Sequence, residues 1–123
     1  YGKGLNVRDW IHVNDHCDGI YNVLNFGKSG EIYNIGAGNE LTNIQMAELI
    51  LAKMGKTKKE IEFVEDRKGH DLRYSLNFSK IRNELHFTPQ VSFDKGLSET
   101  LQWYKNSEYW WKSLVEIEDT SSR

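Results

Sequence analysis

Two spacings of apolar residues alternate along this 123-residue chain, and that alternation leaves few architectures open to it. Val7, Asp9, Ile11 and Val13 interleave with Arg8, Trp10 and His12, the period of a strand with two differently used faces. Cys17, Ile20, Tyr21 and Leu24 then follow i, i+3, i+4, i+7 spacing, with Asn14 or Asp15 placed to cap the helix they predict. Gly27 and Gly30 close that helix, and the stretch from Glu31 to Ile35 predicts a short strand. Thr42-Asn43-Ile44-Gln45 has the capping-box pattern of a second helix, with Ile44, Ala47, Ile50, Leu51 and Met54 on one face and Gly55 as its stop. Ile61 to Glu65 alternates again and predicts a strand. A short helix starting at Asn77 or Ser79 carries Phe78, Ile81 and Leu85 and ends before Pro89. A last helix from about Asp94 carries Leu97, Leu101 and Tyr104. Strands that alternate with helices predict an α/β or α+β layered domain over residues 1–115, followed by a frayed tail over residues 116–123.

Composition narrows the function classes. With 38% apolar and 28% charged residues, the chain fits one compact soluble domain. The net charge of −2 provides no global basic field, so no nucleic-acid partner is expected and any anion site must be local. The single cysteine, Cys17, excludes an internal disulfide and reads as a buried, inert thiol of a reducing compartment. No apolar run approaches the roughly 18 residues of a membrane span, which makes a membrane partner unexpected and a cytoplasmic location the default. The opening Tyr1-Gly2-Lys3-Gly4, with no initiator methionine, reads as a cut inside a longer protein.

Chemistry concentrates in Asp66-Arg67-Lys68-Gly69-His70-Asp71-Leu72-Arg73-Tyr74, where three fixed cations, two carboxylates and an imidazole surround one glycine. Guanidinium forks make bidentate contacts to phosphates, and glycine lets backbone approach an anion. The run therefore suits a phosphate or diphosphate, and the competing reading is a solvated loop with self-paired charges. Arg8, inside a predicted strand, needs an anionic ligand or an ion pair, for which Asp9 or Asp15 would serve on an edge strand.

Other constellations fail on spacing. Gly36-Ala37-Gly38-Asn39-Glu40-Leu41 puts leucine where a dinucleotide fingerprint needs its third glycine. No tyrosine is followed four residues later by lysine, no G-x-S-x-G elbow occurs, and so no catalytic residue is expected. His12 and His16 straddle a strand-to-helix junction rather than one helical face, so no metal site is expected. Trp103, Tyr104, Tyr109, Trp110 and Trp111 lack interleaved arginines and read as packing aromatics rather than a base-stacking platform.

Several runs occur in one order: Tyr1-Gly-x-Gly-x-x-Val-Arg8-Asp9-Trp10, Gly30-Glu31-x-Tyr33-Asn34-Ile35-Gly36, Asn39-Glu40-x-x-Asn43, Asp66-Arg67-x-Gly69-His70-Asp71-x-Arg73-Tyr74 and Gly96-Leu97-x-x-Thr100-x-x-Trp103-Tyr104. In these runs the chain resembles the dTDP-glucose 4,6-dehydratases, which are extended short-chain dehydrogenase/reductases. The resemblance implies an α/β fold, the C-terminal substrate-binding domain of such an enzyme with its Rossmann part absent. It implies that Arg8 and Arg67 hold a nucleotide-sugar diphosphate, that Asn43 contacts the nucleotide sugar, and that Tyr1 closes over the nucleotide. Asp66, Lys68, Gly69 and His70 would line the same site. Lys68 stands where these enzymes usually carry proline, which loosens the loop and adds a cation. The implied reaction oxidises C4 of glucose, removes water across C5 and C6 and returns hydride to C6, with NAD bound by the N-terminal Rossmann domain. The implied partners are a nucleotide-diphosphate sugar, that N-terminal domain and a second copy of the full-length protein. Another nucleotide-sugar dehydratase or epimerase of the same superfamily, or a free-standing anion-binding module, are the alternatives.

Overall fold

The computed structural model describes residues 1–120, with side-chain burial through residue 115. Its strands are β1 (Val7–Asp9), β2 (Glu40–Thr42) and β3 (Arg73–Tyr74). Its α-helices are α1 (Val13–Phe26), α2 (Asn43–Lys53), α3 (Ser79–Leu85), α4 (Phe93–Asn106) and α5 (Glu108–Thr120). The sheet order is β2-β1-β3, with β1 antiparallel to β2 and parallel to β3. Arg8 pairs with Leu41 on one side and Tyr74 on the other, so these three side chains share a face. Val7, Thr42, Arg73, Asp9 and Glu40 take the opposite face.

The α/β pattern holds, and the strands are shorter than their alternation predicts. β1 ends at Asp9 because β2 offers only three partners; Trp10 N–H donates to Asn39 O, and the chain turns into α1. The segments Glu31–Ile35 and Ile61–Glu65 form no strand. Val64 instead accepts from Gly2 N–H, which ties the N-terminus to the loop ahead of the charged run. The third strand lies inside that run, where a loop was expected.

Local signals fared better at helix ends. Thr42 Oγ1 accepts from Gln45 N–H and the Gln45 side chain accepts from Thr42 N–H, a complete capping box. At α1, however, neither Asn14 nor Asp15 caps: His12 Nδ1 accepts from Asn14 N–H. Asp15 is 2% exposed and accepts from Gln90 N–H and Val91 N–H at 2.8 and 3.0 Å, fastening the segment that leads into α4. That contact turns α1 so that Asp15 and Gly19 face inward, while Cys17, Ile20, Tyr21 and Leu24 are exposed. The buried cysteine expected from composition is therefore a surface thiol.

The buried apolar side chains are Met46, Ile81 and Phe87, at the packing of α1 on α3 and of α2 on α4. Trp103 of α4 packs edge-on against Trp110 of α5 with ring centroids 5.5 Å apart, and Trp111 Nε1–H donates to Tyr104 O. The aromatic cluster thus joins two helices. Side chains of the expected tail, residues 116–123, lie outside the described residues. Among the described residues no helix is long and apolar enough to cross a membrane.

Candidate anion-binding site

The sheet carries Arg8 to the rim of a cavity of about 320 Å³. Arg67, Lys68 and Gly69 line it from the loop, with His70, Asp71 and Tyr74 completing the wall. Gly69 has φ +70°, a backbone conformation that side chains rarely adopt, and it lets the loop fold back so that His70 N–H donates to Arg67 O.

Arg8 is held at three points. Nη1 donates to Val7 O at 2.7 Å, and Nη2 donates to Asp71 O and lies against His70 Nε2, both at 3.1 Å. Its guanidinium stacks over the Tyr74 ring at 5.0 Å, a contact set by the β1–β3 register. Arg8 is thus neither on an edge strand nor paired with Asp9 or Asp15. Asp9 instead accepts from Ala37 N–H and Asn39 N–H at 3.0 and 2.8 Å.

Arg67 approaches from the other side. Its Nη2 also lies 3.1 Å from His70 Nε2, and its guanidinium stacks over the Tyr1 ring at 4.9 Å. Tyr1 is brought there by Gly2, whose φ of +54° and absent Cβ allow the backbone against the Asp66 carboxylate. Asp66 Oδ1 accepts from His70 Nδ1–H at 2.7 Å and from Arg67 N–H at 2.9 Å. The hydrogen bond from His70, followed by that of the Arg67 backbone, holds the Asp66 carboxyl below its ordinary range despite some desolvation. The Tyr74 phenol is pushed up, first by its hydrogen bond to Asp71.

Two arginines, each backed by a tyrosine ring, therefore converge on one imidazole nitrogen. Both Nη2 atoms lie 3.1 Å from that nitrogen, so one anion placed there can meet both guanidinium groups. The site can neutralise a dianion and present it with two planar donor forks. Two further cavities lie beside α4, of about 270 and 660 Å³, and neither is lined by lysine or arginine.

Of the residues expected here, Tyr1, Arg8, Asp66, Arg67, Lys68, Gly69 and His70 are brought together. Asn43 is not among the cavity walls: it opens α2, its backbone N–H donating to Asn6 O. Asn6 stands outside every expected site, and Tyr74, although it closes the charged run, has no role of its own in that expectation. Asn6 is 6% exposed and donates from Nδ2 to Asp71 O, the carbonyl that also receives Arg8. Neither the Asn6 contact nor the stacking of Tyr74 on Arg8 is marked in the sequence, since both depend on which strands pair.

The glycine-rich turn after residue 35 does not fit a dinucleotide, because its Ala37 and Asn39 N–H groups are both taken by Asp9. Among the described residues, no group of three or more His, Cys, Asp or Glu side chains is gathered as a metal would require.

A family model described as GDP-mannose 4,6 dehydratase matches residues 1–100. A dTDP-glucose 4,6-dehydratase of Actinoplanes is 50% identical over 111 residues, covering 90% of this chain and 35% of the relative. A crystal structure of dTDP-glucose 4,6-dehydratase from Bacillus anthracis in complex with NAD is 54% identical, with a TM-score of 0.87 over 93% of this chain and 36% of that one. The corresponding enzyme from Streptomyces venezuelae is 51% identical, with a TM-score of 0.89 over 93% of this chain and 35% of that one. The chain spans about a third of the length of the curated relatives it matches.

Proposed function

This chain belongs to the GDP-mannose 4,6 dehydratase family, and from that membership we propose that it is the nucleotide-sugar-binding part of a dTDP-glucose 4,6-dehydratase. The observation that carries the proposal is the meeting of Arg8 and Arg67, from distant parts of the chain, at one cavity. The names of its relatives support the choice of nucleotide and sugar.

On this reading Arg8 and Arg67 neutralise the diphosphate, and Lys68 adds a cation at the mouth. Tyr1 and Tyr74 hold the guanidinium groups by stacking against them. His70 and Asp66 fix the loop that carries Arg67. Because the diphosphate is remote from the reacting carbons, these contacts position the sugar rather than stabilise charge developing on it. In the whole enzyme, NAD bound by the remaining part supplies reversible hydride acceptance. The base and the dehydrating groups are assigned to that part too, so the isolated 123-residue chain is expected to show no dehydration of dTDP-glucose. Turnover by the purified chain would refute that division of labour. The whole enzyme is proposed to be a cytoplasmic homodimer, which light scattering of the full-length protein tests for its oligomeric part.

The family model's description favours a second reading, a guanosine- rather than thymidine-diphosphate sugar. Calorimetric titration of the full-length protein with dTDP-, UDP-, GDP- and CDP-glucose separates the two. The proposal expects dTDP-glucose to bind tightest, and a preference for the GDP sugar overturns it.

A further inference from the structure

A guanidinium carries N–H donors and no acceptor, so a nitrogen that meets two of them must offer its lone pair. His70 Nε2 lies 3.1 Å from both Arg8 Nη2 and Arg67 Nη2, which makes it the accepting nitrogen and puts the ring proton on Nδ1. Nδ1–H donates in turn to Asp66 Oδ1 at 2.7 Å. The imidazole is therefore the neutral Nδ1–H tautomer, and only 5% of its side chain is exposed. Asp66, Arg67 and Lys68 face it from the loop, Arg8 from β1, and Tyr74 with the neighbouring Asp71 from β3 and its approach. Tyr1 completes the shell, its ring edge-on at 6.4 Å. Arg73 and Glu40 are on the far face of the sheet.

A diphosphate competes for the donors that Nε2 now receives. Charge-assisted bonds from guanidinium to phosphate oxygen are stronger than bonds to a neutral imidazole, so the arginines turn to the ligand. Nε2 is then left with its lone pair toward anionic oxygens. A proton there converts the clash into a third donor bond, and the Asp66 carboxylate on the opposite ring nitrogen stabilises the imidazolium.

We propose that His70 is a proton-linked placeholder in this cavity: its neutral Nε2 gathers Arg8 and Arg67, and diphosphate binding draws one proton from solvent onto Nε2, which then donates to a phosphate oxygen. The role rests on the diphosphate reading of the cavity. The bound protein carries the extra proton, so affinity rises as pH falls, by up to about tenfold per pH unit for one proton taken up.

The test is calorimetric titration of the full-length protein with the phenyl ester of dTDP, a diphosphate diester that has no ionisation of its own near neutrality and cannot be dehydrated. Titrations from about pH 8 to about pH 5.5, each in two buffers of different ionisation enthalpy, give affinity and proton uptake together. The expected result is uptake approaching one proton per ligand and affinity that rises on acidification. His70→Gln, which keeps an acceptor near the Nε2 position but cannot take the proton, is expected to bind with neither buffer dependence nor the acid rise. Its circular dichroism, matched to the parent protein, checks that it is folded. Binding by the parent protein with no proton uptake and a flat pH profile overturns the inference and leaves the diphosphate site standing. Retention of proton uptake in folded His70→Gln also overturns it. Failure of the parent protein to bind the ester at any pH refutes the diphosphate reading itself, and this role with it.

Discussion

Replacing Arg8 by alanine removes a guanidinium fixed at three points and stacked on Tyr74. Each charge-assisted hydrogen bond is worth about 1.5–3 kcal/mol. Arg8 is only half-buried, so the low end of that range applies. Two such N–H groups offered to a diphosphate contribute about 3 kcal/mol, a loss of roughly 100-fold or more in affinity. Arg8→Lys keeps the charge, but a lysine cannot bridge Asp71 O and the ligand with one plane of donors. It is expected to recover only about tenfold of the loss, and to bind with a steeper dependence on salt than the parent protein. The assay is calorimetric titration of the full-length protein with dTDP, alongside thermal unfolding to confirm that the variants are folded. An Arg8→Ala protein that binds within about threefold of the parent refutes the assignment of this arginine to the diphosphate.

Two further outcomes follow from buried and paired carboxylates. Asp15→Asn replaces one acceptor oxygen with an NH₂ that opposes a backbone N–H of the segment Gln90–Val91, and is expected to cost about 2–4 kcal/mol in urea unfolding. The exposed neighbour change Asp18→Asn should stay within about 0.5 kcal/mol, and equal effects from the two would refute the buried-clamp reading. Glu40 is held below its ordinary 4.5 by hydrogen bonds from Arg73 and then Ser75. A lowered carboxyl stabilises the fold at pH above its unfolded value and loses that contribution as pH falls through its folded one. Stability should therefore decline on acidification below about pH 4.5, and the decline should be shallower in Glu40→Gln. An unchanged acid limb in that variant would remove Glu40 from the account.

Local sequence patterns are decisive only where the partners are local too. Thr42 and Gln45 satisfy each other within one turn, so the start of α2 needs no knowledge of the rest of the chain. Asp15 looks like a cap by the same logic, yet its partners are 75 and 76 residues away, and a long-range pair of N–H groups outcompetes the local ones. The strands failed for a related reason. A strand of two or three residues is defined by its partner, so Arg73–Tyr74 reads as loop until β1 lies beside it, and Ile61–Glu65 reads as strand although no described strand lies beside it. In the site, the chemistry of Arg8 and Arg67 was legible from residue type and setting. Their shared contact with His70 was not, because it requires the β1–β3 register and the fold-back at Gly69.

Three consecutive residues of β1 and its exit do three unrelated jobs: Arg8 faces the cavity, Asp9 pins the turn before β2, and Trp10 begins the exit toward α1. Because strand side chains alternate, losing or gaining one residue ahead of Arg8 would exchange the faces of Arg8 and Asp9. A deletion would put the Asp9 carboxylate where Arg8 faces the anion cavity, and an insertion would put the Arg8 guanidinium where Asp9 meets the N–H groups of Ala37 and Asn39. Either contact would be repulsive. Length changes in this short segment thus invert the sign of the site, whereas substitutions only weaken it, so a lineage can tune this strand by replacement and has almost no freedom to alter it by insertion or deletion.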